Sequence, residues 1–92
     1  MHALLVTAQV EPHSEEEGSE YLRTDVLPQL KELPSLVAGY WLAAKDGESL
    51  AVLLFEDEAA ARQMAEIGLP NSPPPPGATL GTIDVREVVA HT

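Results

Sequence analysis

Histidine is the usual general base because imidazole titrates near neutrality, and this chain has three: His2, His13 and His91. All three lie near strand ends. His13, just past the first strand, is placed either at the mouth of a cleft or in open solvent. His2 and His91, near the termini, flank two strands expected to be neighbours and so approach each other, two imidazoles without a third ligand for a metal. Asp84 and Arg86 stand two apart on a strand and share a face. They form either an ion pair or a cluster that orients a substrate, with Thr7 and Gln9 facing them from the next strand. Tyr40 and Trp41 offer flat π surfaces, for packing or for an aromatic ligand. The candidate catalytic groups are His13, Asp84 and Arg86. The candidate substrate-binding groups are Gln9, Tyr40 and Trp41. No cofactor and no metal are expected.

Several chemistries lack their residues. There is no cysteine, so disulfides, thiolate catalysis and Cys-zinc sites are excluded. Ser14 and Ser19 have no paired base, and no P-loop, Rossmann glycine pattern or HExxH occurs. Glu15, Glu16 and Glu17 read as a solvated helix start. The net charge is -10, with 15 acidic against 5 basic residues. Arg23, Lys31, Lys45, Arg62 and Arg86 are scattered, so neither nucleic acid nor an anionic membrane is an expected partner. The acidity serves solubility. The first ten residues lack the basic start and cleavage site of a signal peptide, no apolar run reaches membrane-spanning length, and a cysteine-free domain suits a reducing compartment. The expected location is the cytoplasm.

The elements that must position these groups follow from periodicity. Residues 3–10 alternate as a strand, with Leu4, Val6, Ala8 and Val10 on one face and Ala3, Leu5, Thr7 and Gln9 on the other. Ser14 and Glu17 form an expected capping box, and Gly18 permits close packing on the sheet. Leu22, Val26, Leu30 and Leu33 make a helical apolar stripe. Pro28 predicts a kink or short break near residues 25–27, and Pro34 ends the segment. Residues 39–45 read as the second strand, Asp46-Gly47 as a hairpin turn, and residues 50–55 as a central third strand. Asp57 is the expected N-cap of a second helix, Gly68 its left-handed C-cap and Pro70 its stop. Residues 69–81 read as a loop around Pro73-Pro74-Pro75-Pro76, a stiff polyproline connector or a docking segment. Residues 82–90 read as the last strand.

The order is β-α-β-β-α-β in one domain spanning residues 1–92, an α+β, ferredoxin-like arrangement. Such a fold covers one sheet face with helices. The other carries Leu5, Val88 and an apolar row of the third strand, enough to require a partner.

The stretches Leu33-Pro34-Ser35-Leu36-Val37-Ala38-Gly39-Tyr40-Trp41, Lys45-Asp46-Gly47, Leu53-Leu54-Phe55-Glu56-Asp57-Glu58-Ala59-Ala60 and Val85-Arg86-Glu87-Val88-Val89 resemble the dimeric α+β barrel superfamily. Within it they are most similar to small proteins of the antibiotic biosynthesis monooxygenase type. The likeness spans roughly residues 2–91. It implies a homodimer whose two sheets face each other, with a cleft between sheet and helices in each subunit. The implied activity is a cofactor-free monooxygenase acting on an aromatic or polyketide-like substrate. The alternative is a non-catalytic ligand-binding or interaction module on the same dimer. The haem-degrading branch of the superfamily relies on Asn, Trp and His around the ligand. Here Asn71 falls in the proline-rich loop and no histidine falls in the second helix, so that branch is not expected.

Overall fold

The computed structural model describes residues 1–92. β1 (His2–Val10) leads into α1 (Glu15–Tyr21), which runs through a π-helical turn (Leu22–Val26) into α2 (Leu27–Leu30). β2 (Leu36–Lys45) and β3 (Glu48–Phe55) make a hairpin. α3 (Glu58–Gln63) continues through a second π-helical turn (Met64–Gly68), and β4 (Ala78–Glu87) follows. The strands form one antiparallel sheet in the order β2-β3-β1-β4. This is the α+β, ferredoxin-like βαββαβ fold. No helix is long and apolar enough to cross a membrane.

Register sorts the side chains into two faces, because directly opposed residues of antiparallel strands point the same way. Three rows on the helix side are Leu36, Phe55, His2, Glu87; Gly39, Leu53, Leu4, Val85; and Trp41, Ala51, Val6, Ile83. Leu4, Val6, Leu53 and Phe55 from these rows, with Ala61 of α3, are the only buried residues. The side chains packed against them come from the strands, from Ala60 and from the segment Met64, Ala65 and Leu69. Neither α1 nor α2 contributes one. The core therefore sits under α3, and the apolar stripe Leu22, Val26, Leu30 and Leu33 is only half-buried.

Local chemistry explains the element ends. Asp46 (φ 54°) and Gly47 (φ 80°) both take positive φ, the requirement of a tight hairpin turn of the I′ kind. The Asp57 carboxylate accepts from the Ala60 N–H at 2.7 Å, the expected N-cap. Pro28 does not break the first helix. In a straight α-helix its ring would press on the Thr24 carbonyl. A five-residue turn ahead of it, closed by Leu27 N–H to Leu22 C=O, lets the chain stay helical.

Four expectations are corrected. Ser14 makes no side-chain cap. Its side chain fills the space a Cβ at Gly77 would need, so the turn after β1 docks on the start of β4. Gly68 has no left-handed backbone. It lies inside the second π turn, where a Cβ would stand 2.7 Å from Met64 Sδ. Asn71 and Ser72 side chains cap that helix end instead, at Ile67 and Gly68 carbonyls. β4 begins four residues early and stops at Glu87, because Gly81 is a bulge within the strand and not the end of a loop. At the bulge Thr7 Oγ1 accepts from the Thr82 N–H at 2.8 Å and replaces a ladder carbonyl. Val88 consequently lies beyond the strand, and β2 and β3 also start earlier, at Leu36 and Glu48.

Candidate functional site

The first helix stands off the sheet, and a gap remains. The C-terminal part of that helix and the outer edge of β2 border an open cleft of about 310 Å³. Leu27, Leu30 and Lys31 line it from the helix end, and residues 36–39 with Trp41 from the strand. Trp41 shares its face with Gly39. A Cβ at Gly39 would stand 2.9 Å from Trp41 Cη2 and 3.0 Å from Leu53 Cδ2. The indole thus lies over the glycine, with Leu53 of the core beneath, and makes one wall of the cleft. Lys31 is the only charged residue in the lining and takes part in none of the molecule's ion pairs. The walls are otherwise apolar, suited to a flat hydrophobic molecule oriented by few polar groups.

The opposite sheet face is a second surface. Its rows are Ala38, Leu54, Ala3, Arg86; Tyr40, Val52, Leu5, Asp84; and Leu42, Leu50, Thr7 across to Thr82 at the bulge. The β2 and β3 half is apolar, and the β4 half is polar. Tyr40 and Leu42 are 57% and 51% exposed, and nothing in the chain covers this face. At its hairpin end a shallow depression of about 570 Å³ is bordered by Gln9, Leu42, Lys45 and Glu48.

The six candidate residues do not share one site. Trp41 lies in the cleft. Tyr40, its neighbour in sequence, points to the open face because strand side chains alternate. Gln9 is also on the open face, where its amide donates to Glu48 at 3.4 Å. Asp84 and Arg86 are on that face too, joined by a 2.7 Å charge-assisted hydrogen bond. Leu5 and Ala3 stand opposite this pair, not Thr7 and Gln9. Both charged groups are more than half exposed, so their attraction is largely screened. His13 is exposed in the turn after β1. His91 is exposed beyond β4 and does not meet His2, whose strand neighbour is Glu87. His2 Nε2 lies 3.8 Å from Glu58, while its Nδ1 is buried without a hydrogen-bond partner. No three potential metal ligands converge anywhere in the molecule.

Lys31 and Gly39 are the site residues that sequence reasoning passed over. Their signal was present: a glycine two residues before a tryptophan on an edge strand leaves room for the ring, and a lysine follows an apolar Leu27 and Leu30 on the facing helix. Comparisons with protein-family models, curated proteins and solved structures find no match.

Proposed function

We propose that this chain is a small-molecule-binding protein that works as a homodimer and takes a flat aromatic ligand in the cleft between the first helix and β2. One observation carries the reading: a long helix with an apolar stripe contributes nothing to the core and leaves a tryptophan-walled gap against the sheet. The likeness to dimeric α+β barrels of the antibiotic biosynthesis monooxygenase type supports the same place for a ligand. Binding without catalysis is the favoured role. Every buried residue is apolar, and no carboxylate or imidazole lines the cleft, whereas acid–base catalysts are usually held within reach of the substrate.

Cofactor-independent monooxygenation is the second reading. The apolar walls favour it, because in that chemistry the protein desolvates and orients an electron-rich substrate that itself reacts with dioxygen. A cysteine-free chain is consistent with the cytoplasm.

The homodimer rests on area. A compact monomer of 9.9 kDa exposes about 5,200 Å², and this chain exposes 6294 Å². The excess exceeds the roughly 800 Å² that each partner buries in a stable interface. The open face, with Leu5, Leu50, Val52, Leu54, Tyr40 and Leu42, is the surface we propose a second copy to cover.

A thermal-shift screen of phenols, quinones, haem and short acids tests the reading. Saturating aromatic hits should raise Tm by about 5 °C or more, and Trp41→Ala should weaken them without separating the dimer. Oxygen uptake on a hit would move the assignment to the monooxygenase. No hit from any aromatic class would defeat both.

A further inference from the structure

We infer that the cleft selects a flat apolar molecule that carries one acidic group, with Lys31 reading that group. The inference rests on the ligand-binding reading of the cleft and adds the ligand's charge to it.

Lys31 is the residue just past α2, at the lip of the cleft. Its backbone N–H is committed to the Leu27 carbonyl at 3.0 Å, so the helix fixes where the side chain starts. The four-carbon stem can lie along apolar wall while the ammonium stays at the opening. Arg62 and Arg86 are each paired with a carboxylate in this structure; Arg23, Lys31 and Lys45 are not, and of these three only Lys31 borders the cleft. Carboxylates are plentiful, 15 in 92 residues, yet none comes within ion-pair distance of this cation.

The whole molecule repels anions, because its net charge is -10. That repulsion is screened beyond about 8 Å at physiological salt. Recognition of an anion must then be local, and Lys31 is the sole cation bordering the cleft. A carboxylate, phenolate or enolate at one end of a planar ring system meets both demands. The ring lies on Trp41 over Gly39, and the oxygen anion faces the ammonium. A cationic ligand meets neither.

Fluorescence of Trp41, the single tryptophan, reads the site directly. The probes are 2-naphthoate and its neutral isostere 2-naphthamide, titrated into the full chain at physiological and at high salt. Both should quench Trp41, with the acid bound about fivefold more tightly at physiological salt, the upper range of an exposed ion pair. Lys31→Gln should abolish the preference, so that acid and amide bind alike. Lys31→Glu should reverse it. Thermal melts check that both variants fold. Equal binding of acid and amide to the native chain, or a preference that survives Lys31→Gln, overturns the charge assignment while the cleft stands. Failure of both probes to quench Trp41 overturns the cleft itself, and this inference with it.

Discussion

Gly39 and Trp41 illustrate how a single missing Cβ shapes the wall of a cleft. The strand places them on one face, two residues apart, and the indole occupies the space that any larger residue at 39 would fill. Gly39→Ala should therefore push the ring off the strand and into the cleft. The expected outcome is a shifted Trp41 emission, loss of quenching by aromatic ligands, and a stability cost of about 1–3 kcal/mol from overpacking. Unchanged emission and unchanged ligand quenching would mean that the ring does not rest on the glycine. The exposed pair Asp84 and Arg86 is a contrasting case. Its hydrogen bond is short, but solvent screens both partners, and its contribution to stability falls near the 0–1 kcal/mol typical of surface pairs.

At the scale of elements, the two helical segments do different work. α3 begins at a side-chain N-cap and buries Ala61 in the core cluster with Leu4, Val6, Leu53 and Phe55. The first helix is interrupted by a π turn ahead of Pro28 and buries no residue. Its opening should cost less free energy than that of α3. Amide exchange should be faster along Leu22–Leu30 than along α3 and the central strands β1 and β3, and a bound aromatic ligand should slow it selectively. Equal protection of both helices would show that the first one is not a loose wall.

This asymmetry also explains what was legible in the residues. Strand alternation, the Asp46-Gly47 turn and the Asp57 cap are local signals, and they placed the sheet and its topology. Ser14 failed as a cap because a distant residue, Gly77, offered its side chain a better-packed position. In the sequence Gly81 reads as loop, because a bulge and a loop end look alike without the Thr7 hydroxyl across the strand. The candidate site scattered for a related reason. Tyr40 and Trp41 are adjacent in sequence, yet the pleat sends them to opposite faces. The cleft itself depends on how far a helix stands from a sheet, a distance that no local pattern encodes.

At the scale of the whole molecule, one sheet face is packed and one is open. The proposed homodimer brings together two chains of net charge -10 each, so added salt should strengthen it by screening. Tyr40 and Leu42 lie on the open face, away from the core, so Tyr40→Glu should separate the copies while leaving each one folded. The most direct measurement is sedimentation equilibrium of the native chain at micromolar concentration. A homodimer gives twice the 9.9 kDa of a single chain, reverting to one with Tyr40→Glu. A native chain that sediments as a stable single copy, at high salt as at low, would rule the homodimer out.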